Sequence, residues 1–413
     1  MSATDGRTAS PAPPAARPPR ALASLRVALV HDWLTGMRGG EKCLEVLAET
    51  FPEADLYTLV HRRGRVAPVI ERRRVVESWI ARLPGGRSHY RWFAPFYPLA
   101  IESFDLGAYD LVVSTSHCVA KGAVTRADTL HVCYCFTPVR YFWDLYPEYF
   151  GPGRGGALAR ATAPLLAHYY RLWDRASSDR VDLFVADSFH VRDRIAKHYR
   201  RPSLVIHPPA DTEGFTPAAA PAAPDAPYLV VSALVPYKGV ERAIRACGAR
   251  GAPLRVVGTG PEERRLRALA GPGVRFDGWL SEGALREAYR TSRALIQAHE
   301  EDFGIAPVES LASGRPVVAL RKGGAAEVVT PECGVLYDDS TDEGLAAALA
   351  EFERRSFDPA ALRRRSLEFS RTAYGERMVA TLERAWAAFE GRDGRPFALD
   401  ELADCGSQPF VVS

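Results

Sequence analysis

The sequence predicts an α/β protein of two domains, each a parallel sheet covered by helices on both faces. Three observations carry this. Short β-branched runs alternate with longer amphipathic ones from residue 25 onward, the pattern of strands buried between helix layers. A stretch of Pro and Ala at 212–227 (TEGFTPAAAPAAPDAP) divides that pattern and is too poor in large apolar side chains to hold a core. The length of 413 residues, less a tail at each end, leaves room for two large domains at roughly 100–200 residues each.

The elements follow in order. Residues 1–24 form a Pro/Ala-rich, disordered tail with no apolar h-region, so they are not a signal peptide. Residues 25–31 (LRVALVH) read as a buried first strand, and TGMRGGEK (35–42) as a glycine loop opening a helix with Cys43, Leu47 and Phe51 on one stripe. Further strands are expected at 55–60, 111–114, 130–135, 183–186 and 203–206, completing a six-stranded first domain over 25–211. After the linker, a second domain over 228–373 has strands at 228–232, 254–257, 274–276, 294–297, 317–319 and 334–337. A last helix at 374–390 carries Met378, Leu382, Trp386 and Phe389 at three-to-four spacing, and 391–413 is a second tail. Both domains are therefore Rossmann-like, with a cleft between them.

Composition narrows the function. With 53 Lys+Arg against 50 Asp+Glu, a net charge of +3 and 47% hydrophobic residues, the chain is neither disordered nor a nucleic acid binder working through bulk charge. Seven cysteines, odd in number and without a C-x-x-C pair, read as reduced core residues of a cytosolic protein. No run reaches the roughly 18–20 apolar residues of a membrane span, so the expectation is a soluble or peripherally attached protein. The basic residues are almost all arginine; Lys42, Lys121, Lys197, Lys238 and Lys322 are the only lysines, which makes a lysine inside a motif informative.

Ligands of open α/β sheets bind beyond the carboxyl ends of the strands, so the loops after His31, Ser114, Cys135, Ile206, Ser232, Val257, Gln297 and Ala319 are the candidates. The segment EEDFGIAPVESLAS (300–313) puts Glu301 before a helix and Glu309 within it. The backbone N–H groups of Phe303, Gly304 and Ile305 at the helix start suit an anion, and Glu309 can chelate a diol. A nucleotide sugar diphosphate supplies both; a capped helix with two solvated glutamates is the plain alternative. Lys238, in SALVPYKG (232–239), reads as a phosphate ligand or as a turn lysine. Gly39-Gly40 lets backbone approach a diphosphate or sugar, or simply makes a turn. VVGTGPEE (256–263) fails as a dinucleotide fingerprint, because Glu263 holds the third glycine's place. His117 lies just past a strand end, in reach of substrate hydroxyls; like His31, His131 and His207, it fits a structural role equally well. No metal-binding spacing and no G-x-S-x-G is present.

Together these segments resemble glycosyltransferase family 4, the retaining transferases of the GT-B fold, over about residues 25–389. Glu301 and Glu309 stand as the family's E-x7-E element and Lys238 as its phosphate-binding lysine. The stretch 312–329 (ASGRPVVALRKGGAAEVV) matches the segment ending in paired glycines, Gly323-Gly324, and 205–215 (VIHPPADTEGF) matches the proline-rich segment before the linker. HDWLTGMRGGEK and CFTPVRYFWD resemble a bacterial subgroup building O-antigen, capsule or exopolysaccharide, often with mannose.

The resemblance implies a nucleoside diphosphate sugar as co-substrate, GDP-mannose preferred, with no cofactor and no metal. Glu309 would hold the ribose and Lys238 the diphosphate. The Phe303, Gly304 and Ile305 backbone with Gly39-Gly40 would cradle phosphates and sugar, and Glu301 would contact the hexose. Many relatives carry arginine five residues before the lysine; here it is Ala233, for which Arg321, Lys322 or Arg140 would compensate. Phe136 stands where a donor-contacting histidine is common, with His117 the substitute. The final helix would cross back to the first domain.

The acceptor would be a glycan or a polyprenyl-lipid-linked sugar on the inner face of the plasma membrane. Nine arginines and six aromatics between 62 and 97, Arg72, Arg73 and Arg74 among them, suit an anionic membrane surface or a solvated face over a core; near-neutral overall charge disfavours nucleic acid. The competing functions are an epimerase or phosphorylase of the same fold and a catalytically inactive partner protein. An NAD-dependent oxidoreductase is disfavoured by Glu263.

Overall fold

The computed structural model describes residues 20–150, 157–218, 222, 223 and 225–392. The first domain holds β1 (Val27–His31), β2 (Asp55–Thr58), β3 (Val75–Glu77), β4 (Leu111–Ser116), β5 (Leu130–Cys135), β6 (Leu183–Ala186) and β7 (Leu204–Val205), in the order β3-β2-β1-β4-β5-β6-β7. The second holds β8 (Tyr228–Val231), β9 (Leu254–Val257), β10 (Val274–Gly278), β11 (Leu295–Gln297), β12 (Val317–Leu320) and β13 (Gly334–Tyr337), in the order β10-β9-β8-β11-β12-β13. Neighbours in both sheets run parallel. The α/β class and doubly wound architecture are as the sequence predicts.

Strand order reverses beside β1 and again beside β8. At such a point the loops leaving two adjacent strands diverge to opposite faces and open a crevice at the carboxyl edge. The pairing of β1 with β4 runs from Val27 opposite Leu111 to His31 opposite Thr115, so the last residues of both strands reach that edge together.

The buried strands leave no face for water. On one side of the first sheet Leu29, Leu56, Val113 and Val132 pack against Leu44 and Leu47 of the Gly39–Thr50 helix. On the other, Ala28, Val30 and Val112 pack with Tyr97, Ile101 and Tyr170.

The C-terminal helix, Arg371–Glu390, starts three residues before the predicted one because Ser370 caps it, accepting from the Ala373 N–H. It lies on the first domain, where Met378, Leu382, Trp386 and Phe389 join the cluster of Leu44 and Val113. Tyr374 meets the Tyr134 ring edge-on at 5.5 Å, and Arg371 pairs with Glu45 at 3.0 Å and Glu49 at 2.8 Å.

Several boundaries differ from expectation. Residues 20–24 are not tail: Leu22–Ser24 makes a 3-10 turn with Leu22 buried, and Arg20 pairs with Glu390 and lies over the Trp386 ring. Residues 1–19 and 393–413 lie outside the described residues. The linker's first part belongs to the second domain, where Phe215 is buried against Tyr289 and Arg363 binds the carbonyls of Thr212 and Phe215.

A seventh strand, β3, sits at the edge of the first sheet within the arginine-rich stretch, where flanking charge suits an edge strand. There Arg73 donates to the Ala48 carbonyl, Arg74 pairs with Asp55 at 2.9 Å and Arg87 pairs with Glu77. These arginines are thus engaged in the fold, and among the described residues only Arg72 of the triplet makes no side-chain hydrogen bond or ion pair. Six cysteines are free and buried; Cys405 is outside the described residues. No described helix is long and apolar enough to cross a membrane.

Because the C-terminal helix completes the first domain's core, Leu382→Ala, at a site with no exposure, is expected to cost about 2–5 kcal/mol. A thermal melt should show the loss, while Leu367→Ala, half-exposed on the preceding helix, changes stability by no more than about 0.5 kcal/mol.

Candidate active site

The crevices of the two domains face each other, and the strands beside each reversal point supply the residues. β1 ends on His31 and is followed by Asp32 and the turn into the Gly39–Thr50 helix; after β4 comes His117. The opposite side is built from Lys238, after β8, and from His299, Glu301 and the Ile305–Ala312 helix, after β11.

Asp32 organises the first-domain side. Its buried carboxylate accepts the backbone N–H groups of His117, Cys118, Val119 and Ala120 at 2.6–3.0 Å, and the His117 ring Nδ1 lies 3.0 Å away. Burial lowers the pKa of His117, with Asp32 opposing and His31 adding to the shift. A neutral ring beside a carboxylate carries its hydrogen on Nδ1, which leaves Nε2 as an acceptor. Trp33 braces the ring edge-on at 4.5 Å.

His31 bonds Thr115 Oγ1 through Nδ1 at 2.7 Å, and its Nε2 lies 3.9 Å from Glu41. Burial works to raise the Glu41 pKa, but the nearby His31 ring and the backbone N–H groups that the carboxylate accepts outweigh it and leave the carboxyl below its ordinary value. Phe136 occupies the ground beside them: a Cβ on Gly40 would approach its ring to 3.2 Å.

On the second-domain side Lys238 ends a short 3-10 turn, Pro236–Lys238, and its ammonium pairs with Glu301. His299 approaches the same carboxylate oxygen at 3.0 Å through Nε2. Burial pushes the Lys238 pKa down to about 7, with the Arg140 guanidinium adding to the fall and Asp302 opposing it. Burial next to Lys238 and Arg242 drives His299 well below its ordinary value, so it enters as a neutral donor.

The backbone that carries Glu301 depends on two glycines. Gly323 pairs with Glu301 as an isolated parallel bridge, and the Gly324 N–H donates to the Glu301 carbonyl at 3.0 Å. A Cβ on Gly323 would fall 2.0 Å from that carbonyl oxygen, and one on Gly324 2.3 Å from the Phe303 backbone. Gly304, at φ +86°, is the N-cap of the Ile305–Ala312 helix and offers no side-chain cap to its first N–H groups. The side chain of Phe303 turns into the core against His207 and Phe369.

The two helix starts meet. A Cβ on Gly39 would lie 3.2 Å from Ile305, so two positive helix ends from opposite domains abut. Glu309, one helical turn further on and buried, accepts from the Tyr289 hydroxyl at 3.0 Å and from Lys42 of the first domain at 3.2 Å.

The expected site residues therefore fall in one place, with two exceptions. Arg321 is outside it, half-exposed and paired with Asp338 at 3.1 Å, because its strand end points it toward the β13 loop. Lys322 is exposed, and its charge bears on Glu300 rather than on Lys238. Arg140 does enter: it reaches across the cleft to Asp302 at 2.8 Å.

Residues that sequence reasoning passed over complete the interface. Arg194 binds Asp302 and, at 2.9 Å, Asp144. Glu327 accepts the N–H groups of Phe189 and His190 at the start of the Phe189–Tyr199 helix and pairs with His207 at 2.8 Å. Arg194 and Glu327 sit on helices in ordinary sequence contexts, with no motif to mark them; Asp302 was adjacent to Glu301 and open to notice. Among the described residues no group of three or more His, Cys, Asp or Glu is arranged to hold a metal ion.

Comparison with known proteins bears on the family and the fold. The family model described as Glycosyl transferases group 1 matches residues 218–368. The GDP-mannose-dependent alpha-mannosyltransferase of Mycolicibacterium smegmatis is 32% identical over 207 residues, covering 46% of this chain and 54% of the relative. The chain thus matches about half the length of such curated relatives.

Among solved structures, the sucrose-phosphate synthase of Thermosynechococcus elongatus superposes with a TM-score of 0.63 at 17% identity, over 88% of this chain and 100% of that one. HepE of Anabaena, in complex with UDP, gives 0.62 at 15%, over 86% and 99%. At those identities the likeness concerns the fold, which is GT-B. The segment 218–368 thus matches the glycosyl transferases group 1 model, and with the mannosyltransferase relatives and the GT-B fold it supports a family 4-type glycosyltransferase.

Proposed function

We propose that the chain transfers a hexose, mannose by preference, from a nucleoside diphosphate sugar to a glycan or lipid-linked acceptor of a cell-surface polysaccharide, with retention at the anomeric carbon. One observation carries the reading: two helix starts from opposite domains abut beside the half-buried Lys238. Unpaired N–H groups, two dipole ends and a cation in one desolvated crevice form a site for a diphosphate. Mannose is favoured because the mycobacterial relatives are GDP-mannose-dependent alpha-mannosyltransferases.

In this reading Glu309, backed by Tyr289, takes the ribose hydroxyls, and Glu301 with the Nε2 of His117 takes hydroxyls of the hexose. The bond from the anomeric carbon to the diphosphate oxygen breaks as the acceptor oxygen bonds to that carbon from the same face. The acceptor's proton passes to the leaving phosphate. Lys238 and the N–H groups of the Ile305–Ala312 helix meet the charge developing on the diphosphate, a task they perform without a resident metal.

For the acceptor, the first domain offers an apolar face. Trp92 is 78% exposed, Leu165 74%, Leu172 60% and Leu99 55%. The Ala157–Ser177 helix is tied to the Tyr90–Leu99 stretch through Tyr170 on the Ala94 carbonyl, while Trp173 donates to Glu102 at 2.8 Å. Arg82 and Arg91 are exposed nearby in sequence. Exposed apolar side chains with exposed arginines nearby in sequence suit an anionic lipid surface, and this replaces the Arg72–Arg74 triplet as the proposed contact.

A thermal-shift panel of GDP-, UDP- and ADP-sugars tests the donor: one class should stabilise the protein, and none doing so overturns the reading. Lys238→Ala should then lower transfer by about 10²–10³-fold. Since only the ammonium form of Lys238 attracts the diphosphate, donor binding must take up a proton above pH 7. Affinity should accordingly fall up to about tenfold per pH unit above 7, and Lys238→Arg should flatten the profile. Vesicles of phosphatidylglycerol and phosphatidylcholine should sediment the protein and pure phosphatidylcholine should not; the Trp92→Ala, Phe96→Ala, Leu99→Ala variant should stay in solution.

A further inference from the structure

We propose that Arg140 is the second cation of the diphosphate site, delivered across the cleft by the first domain, so that a bound nucleoside diphosphate is clamped between Arg140 and Lys238 and joins the two domains. The proposal rests on the nucleotide-sugar reading above and adds to it a residue and a mechanical consequence.

Residue 233, five positions before Lys238, is alanine, and the second domain's other nearby cation, Arg242, is engaged with the Ala298 carbonyl. The Arg140 guanidinium stands in the space between the domains. It donates to Asp302 Oδ2 at 2.8 Å from one side, and its charge bears on both His117 of the first domain and Lys238 of the second. Two cations this close repel each other, and their approach is tolerated because Glu301 and Asp302, neighbours on one turn, each hold one of them.

Two carboxylates on two cations make the charge pattern that a diphosphate reproduces, with one phosphate group for each. Gly304 leaves the first N–H groups of the Ile305–Ala312 helix without a side-chain cap at the same turn. The guanidinium fork is also the shape that binds two phosphate oxygens at once. A diphosphate arriving here displaces Asp302 from Arg140, while Asp302 keeps its second partner, Arg194, and so is not left a lone buried charge.

A structural role for Arg140, as a latch on Asp302, makes a different forecast from a ligand role, and two variants separate them. Isothermal titration of GDP, UDP and ADP into the wild-type chain identifies the diphosphate that binds; if none does, the nucleotide-sugar reading itself fails. With the binder in hand, Arg140→Ala should weaken affinity by about 10- to 100-fold, the range for a lost charge-assisted contact. Asp302→Asn removes the competitor for Arg140 and should leave affinity unchanged or raise it. A latch predicts instead that both variants lose affinity alike. Equal losses, or full affinity in Arg140→Ala, overturn the proposal while leaving the nucleotide reading intact. Melting each variant without nucleotide confirms that the chain under test is folded.

Discussion

Two carboxylates on one turn hold the centre of this molecule together. Glu301 takes Lys238 and His299 within its own domain; Asp302 takes Arg140 and Arg194 from the other. Buried or half-buried cations are costly unless paired, and four basic groups from four separate loops and helices find their partners in two consecutive residues. The turn is in turn held by Gly323 and Gly324, whose lack of a side chain lets the backbone of Glu301 and Phe303 pass within the space a Cβ would need. Substituting either glycine would move the pair of carboxylates and, with them, everything they organise.

The arrangement also explains why the domains meet where they do. Parallel sheets bring strand ends, helix starts and their unpaired N–H groups to one edge. When two such edges face each other, positive helix ends confront one another, and something negative has to lie between. At the Phe189–Tyr199 helix that anion is Glu327, which takes the first two N–H groups, while Glu300 reaches His190 at 3.1 Å. At the Ile305–Ala312 helix no side chain does so. The difference separates a helix end that serves the interface from one that no side chain caps.

Much of this was legible in the residues. Strand runs such as 130–135, 183–186, 254–257 and 334–337 coincide with β5, β6, β9 and β13, because a strand buried on both faces must be apolar and β-branched throughout. The site motifs were legible for a related reason: glycine at a close approach, glutamate at a helix start and a scarce lysine after a strand each leave a mark in a short segment. β3 was not, since three half-buried residues among arginines carry no periodic signal. The start of the first domain was missed because Pro and Ala dominate there, although Arg20 and Leu22 close against the C-terminal helix.

By itself, then, the order of residues determined the two-domain α/β architecture and the loops whose charged and glycine residues gather at one cleft, all of which depend on local pattern. Only the tertiary structure decided which of three candidate cations enters the cleft. Arg321 and Lys322 lie near Glu301 in sequence yet face Asp338 and Glu300, whereas Arg140, some 160 positions away, reaches Asp302. A contact between domains depends on how two rigid bodies are set against each other, and that information is spread over every buried side chain between them rather than written at either end of the contact.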